Sequence, residues 1–173
     1  MKIAATVLDR EEIEARVKVL GQQITEDYQG KKLVLIGILN GAFIFLADLA
    51  REIQLAVEID FIRVASYGKA AASSGSVVLR KEPDLDLVGK HVLLVEDIID
   101  SGLTMAWLRE YFLTKQQVAS VKTCALIDKK ERRATDVQTD YVGFNVEQGF
   151  LVGYGLDYAQ NYRNLPKVCA LEL

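Results

Sequence analysis

Long apolar runs are missing from this chain of 173 residues, although half of its residues are hydrophobic. No stretch approaches the roughly 18 apolar residues that a membrane helix needs, so no membrane contact is expected. The opening segment, Met1-Lys2-Ile3-Ala4-Ala5-Thr6, lacks the apolar core of a secretion signal. Cysteine is scarce. Cys124 and Cys169 both lie in apolar, strand-like runs, and are expected as buried reduced thiols of a cytoplasmic protein, with a disulfide as the alternative. The single His91 has no second histidine or cysteine near it to form a zinc set. Two prolines, Pro83 and Pro166, do not divide the chain, and there is neither a repeat nor a low-complexity linker. One domain over residues 1–173 is therefore expected. Strong charge is also lacking: a net charge of −3 argues against a protein that holds nucleic acid by bulk electrostatics.

What the chain does have is concentrated between Val92 and Thr104. Val92-Leu93-Leu94-Val95 reads as a strand buried on both faces, ending at Glu96 and Asp97. Ile98, Ile99 and a third carboxylate, Asp100, follow, then Ser101-Gly102-Leu103-Thr104 and a helical pattern over Met105–Leu113. Strand, polar turn and helix together aim backbone N–H groups and a positive helix end at an anion. Three acids beside such a cradle would repel the anion unless a metal or sugar hydroxyls intervene. The combination asks for a phosphorylated sugar with a divalent ion; the bland alternative is an acidic surface loop after a core strand.

The remaining pattern is of strands alternating with helices, the signature of an α/β fold with a parallel sheet flanked by helices. Asp9 to Tyr28 reads as a helix, capped by Asp9 with Glu12 completing a capping box and Gly30 able to end it. Ile13, Val17, Leu20, Ile24 and Tyr28 form one apolar stripe. Leu33–Ile38 is a buried strand, and Leu39-Asn40-Gly41 turns into a helix from about Ala42 to Ile53. Further strands are expected at Val57–Ser66, Ser76–Arg80, Ser120–Ile127, Tyr141–Phe144, Phe150–Gly153 and Val168–Leu171. Residues 67–75 carry little to bury, so a mobile lid is expected there. The turns at 39–41, 96–104 and 128–130 all follow strands, and in such sheets ligands sit at the strands' carboxyl ends.

The segment Val-Glu-Asp-Ile-Ile-Asp-Ser-Gly resembles the phosphoribosyl diphosphate motif of type I phosphoribosyltransferases, in the form used by their hypoxanthine-guanine branch. Asp60-Phe61-Ile62-Arg63 through Ser66-Tyr67 is similar to that family's strand into its lid, and Phe150 to Tyr158, with Arg163 following, to its purine-side segment. The resemblance implies a parallel-rich twisted sheet flanked by helices, with a small hood of N- and C-terminal segments over the purine site. It implies transfer of the phosphoribosyl group from phosphoribosyl diphosphate to N9 of a 6-oxopurine, with Mg2+, in a homodimer or homotetramer. Under it, Ser101, Gly102, Leu103 and Thr104 hold the 5-phosphate, and Glu96 and Asp97 meet the ribose hydroxyls and the metal. Asp100 is the general base toward purine N7, and Asp157 is a second metal contact beside the purine. Asn40, Gly41 and Arg163 face pyrophosphate. Ile98, Phe150 and Leu151 border the purine, Lys129 donates to its 6-oxo group, and Ser66 and Tyr67 begin the lid. A non-proline cis peptide is implied at Leu39–Asn40. One departure is visible: Asn40 stands where the family usually carries a basic residue before its glycine.

Blander roles remain beside these: a helix cap for Ser101 and Asp100, a turn residue for Asp157, a core residue for Phe150, a solvated strand end for Lys129. Two rival functions also remain: an enzyme of this fold for xanthine or another base, and an RNA-binding attenuator of the same fold.

Overall fold

A computed structural model of the chain describes residues 2–67 and 76–172, with Ser66, Tyr67 and Ser76 described in their backbone alone. The expected lid at 67–75 therefore lies outside the described residues, apart from the backbone of Tyr67.

Asp9 opens the first helix, α1 (Arg10–Asp27), as its sequence implies. Its carboxylate accepts from the Glu12 amide at 2.8 Å, while Glu12 accepts from the Asp9 amide at 2.9 Å, so two of the orphan N-terminal donors are satisfied. The stripe Ile13, Val17, Leu20 and Ile24 is buried, together with Phe45, Leu46 and Leu49 of α2 (Phe43–Glu52). Both helices cover one face of a six-stranded sheet. Its members are β2 (Leu33–Leu39), β3 (Glu58–Tyr67), β4 (Ser76–Lys81), β5 (His91–Ile99), β6 (Ser120–Lys129) and β7 (Tyr141–Val146). The strand order is β4-β3-β2-β5-β6-β7. β4 runs antiparallel at one edge; the other five strands are parallel.

The opposite face is covered by α3 (Leu103–Lys115), whose Met105, Leu108 and Phe112 pack on Val34, Ile36, Val92 and Leu94. A sheet clad on both faces explains why β2 and β5 read as unbroken apolar runs rather than as alternating ones. Each fully buried Leu, Ile or Val there contributes about 1.5–3 kcal/mol. At the far edge, Arg16 of α1 donates to the carbonyls of Val142 (2.6 Å) and Gly143 (2.9 Å) in β7.

A second, three-stranded antiparallel sheet has the order β1-β9-β8, from β1 (Lys2–Leu8), β8 (Leu151–Val152) and β9 (Val168–Glu172). It corresponds to the expected hood. Its small core joins Val152, Cys169 and Leu171, with Phe150, Tyr158 and Tyr162 against them. β1 was not expected from the sequence: it is exposed over most of its length, and its partner comes from the other end of the chain.

Strand ends depart from expectation in one informative way. β5 does not stop at the carboxylates but pairs with β6 through Ile99, and β6 continues through Lys129. Backbone pairing thus holds Glu96, Asp97 and Lys129 on rigid strand rather than on loop. In the opposite sense, Phe150 precedes β8 instead of opening it. Cys124 and Cys169 are buried and unpaired, and burial pushes the Cys124 thiol well above its ordinary range. Among the described residues, no helix is long and apolar enough to cross a membrane.

Candidate active site

Because β2, β5 and β6 are parallel neighbours, the turns that leave them open at one end of the sheet. The first of these turns carries a cis peptide between Leu39 and Asn40, where the family resemblance places one. Its next residue, Gly41, touches the acids of β5: a Cβ at Gly41 would stand 1.9 Å from Oδ2 of Asp97. The hood closes on the same spot, since a Cβ at Gly155 would fall 2.0 Å from the Gly41 carbonyl oxygen. Only backbone without a side chain fits between Asp97 and the hood.

Asp97 is buried, and its Oδ1 accepts from the Ile98 amide at 2.9 Å. Glu96 lies beside it, and one of its carboxylate oxygens accepts from the Asp97 amide at 3.2 Å. Burial, with the neighbouring Asp97 carboxylate adding to it, holds the Glu96 carboxyl well above the usual carboxylate range. A carboxyl at Glu96 that burial disfavours as an anion, with the Asp97 carboxylate beside it, forms a place where a cation would be welcome. Among the described residues, no three acids, histidines or cysteines gather closely enough to ligate a metal by themselves. Mg2+ suits such a place, because it takes one or two carboxylates and completes its shell with water and substrate oxygens.

Beyond β5 the chain makes the anion cradle. A hollow of about 150 Å³ is lined by Glu96, Ile98, Ile99, Asp100, Ser101, Gly102, Thr104 and Met105. Gly102, at φ +82°, is the N-cap of α3 and supplies no side-chain cap. Ser101 Oγ reaches the Leu103 amide only at 3.4 Å, so the helix N-terminus is left for an incoming anion. Leu103 itself is half exposed. Asp100 has one carboxylate oxygen, Oδ1, buried without any hydrogen-bond partner. A buried acceptor left unmatched costs free energy, which a donor on a ligand would recover.

Arg133 organises this cradle, and no sequence signal points to it. Its Nε donates to the Asp100 carbonyl at 3.0 Å. Its Nη2 reaches the carbonyls of Ile99 (3.4 Å) and Lys129 (3.3 Å) and pairs with the carboxylate of Asp128. The amides of Ala134 and Thr135 then both donate to the Ser101 carbonyl, at 2.9 and 3.1 Å. Neighbouring arginines after a strand read as a solvated charge run; only the tertiary fold shows that one of them is turned inward.

Lys129 is buried, with its Nζ 2.8 Å from Glu131 Oε2. Phe150 packs edge-on against Tyr158, with ring centroids 5.5 Å apart, and Ile98 is partly buried against the core. The Leu151 side chain is in the core. Asp157 and Arg163 are paired with each other at 2.8 Å; Asp157 also accepts from the Gln160 amide, and Arg163 donates to the Gly155 carbonyl at 2.7 Å. The structure therefore brings together Asn40–Gly41, the acids of β5 and the 100–104 cradle, joins Lys129 to them through Arg133, and sets the 153–163 segment against Gly41. Ser66 and Tyr67 end β3 in a pairing with β4. A separate hollow of about 520 Å³, between α1, α2, Tyr154 and residues 164–166, contains none of the predicted site residues; its Asp48 is already engaged by Tyr154 and Arg51.

Residues 4–159 match the family model of the phosphoribosyl transferase domain. The chain is 48% identical over 167 residues to the hypoxanthine-guanine phosphoribosyltransferase of Aquifex aeolicus, covering 96% of this chain and 93% of that protein. It is likewise 48% identical over 159 residues to the hypoxanthine phosphoribosyltransferase of Salmonella typhimurium, covering 91% of this chain and 89% of that one. A solved structure of a hypoxanthine-guanine phosphoribosyltransferase from Bacillus anthracis superposes with a TM-score of 0.93 at 43% identity, over 99% of this chain and 100% of that one. The α/β architecture, the cradle after β5 and these likenesses agree: the chain belongs to the type I phosphoribosyltransferases, in the hypoxanthine-guanine branch of that family.

Proposed function

We propose that the protein salvages 6-oxopurines, transferring the phosphoribosyl group of phosphoribosyl diphosphate to N9 of hypoxanthine, and of guanine, with release of pyrophosphate. The observation that carries this reading is the unpartnered buried oxygen of Asp100, set between the Glu96–Asp97 pair and the open N-terminus of α3. In the reaction a bond forms from purine N9 to ribose C1′. The C1′–oxygen bond to pyrophosphate breaks, its electron pair leaving with pyrophosphate. The ring then carries one proton too many, and Asp100 accepts it from N7.

The residues of the cradle each have a task. The N–H groups at Gly102–Thr104 and the hydroxyls of Ser101 and Thr104 bind the 5-phosphate. Glu96 and Asp97 orient the ribose hydroxyls, and they would also hold Mg2+, with Asp157 as a second contact once it is released from Arg163. The ion would supply positive charge where the departing pyrophosphate gathers negative charge. Asn40, Gly41 and Arg163 face pyrophosphate. Ile98 and Phe150, with the Leu151 backbone, border the purine, and Lys129 donates to its 6-oxo group. Residues 1–173 form one catalytic domain, which works in the cytoplasm as a homodimer or homotetramer without nucleic acid or membrane. Of the rival readings, an RNA attenuator lacks support from the purine-side segment at 150–158, and an enzyme of this fold for xanthine or another base is separated by its substrate rates.

Initial rates with hypoxanthine, guanine, xanthine and adenine, each with phosphoribosyl diphosphate and Mg2+, test the proposal. Efficient turnover of the first two supports it. A preference for adenine, or no turnover at all, overturns it.

A further inference from the structure

Lys129 is held in a way that the transfer reaction itself does not require. Its ammonium, buried at the end of β6, pairs with Glu131 Oε2 at 2.8 Å. The same oxygen accepts a hydrogen bond from the Gly149 amide at 3.3 Å. Gly149 immediately precedes Phe150, whose carbonyl is fixed by the Leu171 amide at 2.8 Å. One carboxylate oxygen thus joins the tip of β6 to the turn that enters the hood. Glu131 is itself partly exposed, at 40% of its side-chain surface, so burial does not account for its placement. Lys129 and Gly149 hold its carboxyl below the usual carboxylate range, Lys129 being the larger influence.

We propose that Glu131 is a positioning residue for purine recognition, holding the Lys129 ammonium and the turn that carries Phe150 in a fixed relation at the purine site. The inference rests on the assignment of Lys129 and Phe150 to the purine side. An ammonium has three N–H groups. One stays on Glu131 and fixes the rotamer of a four-carbon stem that otherwise has wide freedom. The others remain for the 6-oxo group. The Gly149 bond does the same for the turn that carries Phe150, so the purine meets its 6-oxo donor and its ring contact already placed relative to each other. The 5-phosphate cradle is held by Arg133 and α3, and among the described residues no hydrogen bond or ion pair links Glu131 to it.

The test compares Glu131→Ala, Glu131→Gln and Lys129→Gln with their double variants. Glu131→Ala should raise KM for hypoxanthine roughly tenfold, the size of one lost charge-assisted hydrogen bond. KM for phosphoribosyl diphosphate and the melting temperature should stay as in wild type. Glu131→Gln, which can still accept from Gly149 or Lys129, should fall in between. In the presence of Lys129→Gln, the further loss from Glu131→Ala should shrink, because the two act as a unit. A normal KM for hypoxanthine in Glu131→Ala, alongside a Lys129→Gln variant that loses its 6-oxo preference, would overturn this inference and leave the proposed function standing. If Lys129→Gln were also normal, the purine-side assignment would fall, and this inference with it. A lower melting temperature with both KM values raised would make Glu131 a structural residue, and would likewise reject the proposal.

Discussion

The guanidinium of Arg133 donates to the backbone carbonyl of Asp100 and, through its other arm, to that of Lys129, so two residues 29 apart in sequence hang from one side chain. The side chains of these two residues are the groups assigned to N7 and to the neighbouring 6-oxo group of the purine. A planar fork serves this purpose and a point charge does not. Arg133→Lys should therefore keep the fold while lowering kcat/KM for hypoxanthine by about 10- to 100-fold, a loss of roughly 1.4–2.8 kcal/mol. Arg133→Ala should in addition cost about 3–5 kcal/mol of stability, since it leaves the buried carboxylate of Asp128 unpaired. Steady-state kinetics with urea unfolding of both variants separates the two effects. A lysine variant with wild-type kinetics would show that the fork is not needed.

Asp100→Asn removes the proposed base without changing its shape. The expected result is a fall in kcat of roughly 10²- to 10⁴-fold with nearly unchanged affinity for phosphoribosyl diphosphate. Single-turnover rates at saturating substrate measure it. A variant within threefold of wild type would remove Asp100 from the proton-transfer role.

Selection of the base should depend on Lys129. An ammonium donates only, so facing the 6-amino group of adenine it meets another donor and loses its bond. A buried N–H donor left without its acceptor in this way discriminates by about 10⁴ or more. Adenine should be almost inert, and Lys129→Gln should narrow the gap, because an amide carbonyl accepts from adenine. The ratio of kcat/KM values for hypoxanthine and adenine in the two proteins is the measurement. A wild-type ratio below ten would defeat this account.

Gly41→Ala probes the packing of the first turn on Asp97. Its Cβ would stand 1.9 Å from Asp97 Oδ2, so the carboxylate or the turn must move. Overpacking of this kind costs about 1–3 kcal/mol. The variant should also bind phosphoribosyl diphosphate at least tenfold more weakly, because Asp97 leaves its place. Calorimetric titration with Mg2+ present would decide, and unchanged affinity would mean that the position of Asp97 is not critical.

Asp60 gives a pH dependence with a definite sign. Burial alone would raise its carboxyl, yet the amides of Leu85, Phe61 and Asp84 and the Lys81 ammonium outweigh burial and hold it below its ordinary value. A carboxyl depressed by folding contributes stability that is fully present above its unfolded value near 3.9, and that is lost as pH falls through the folded value. Asp60→Asn should thus destabilise at pH 7, by about 1–3 kcal/mol. The deficit should shrink as the pH is lowered below about 4. Urea midpoints at pH 7 and pH 3 test this; an equal deficit at both would rule the carboxylate out as the cause.

Local chemistry made part of this molecule legible. The capping box at Asp9 and Glu12, the apolar stripe of α1 and the doubly buried strands of the sheet are encoded by neighbours in sequence, and the structure has them. The strand–turn–helix around Asp100 was readable for the same reason. What could not be read depends on partners far along the chain. β1 is exposed over most of its length and exists because β9 pairs with it. The acids of β5 looked like a loop, because carboxylates usually end strands; pairing with β6 overrides that preference. Arg133 and Glu131 resemble solvated charges until the fold turns one toward carbonyls and gives the other a buried lysine.

The contact of Arg16 with β7 has a consequence for the protein in concentrated solution. β7 ends the row of parallel strands, and such a border, if left open, is a template on which a strand of another molecule can add. Successive carbonyls of a strand point to opposite sides, so of Val142 and Gly143 one faces the open border, and the Arg16 guanidinium occupies both. A charged side chain from a neighbouring helix thus covers a carbonyl that the border would otherwise offer to an added strand, besides attaching α1 to β7.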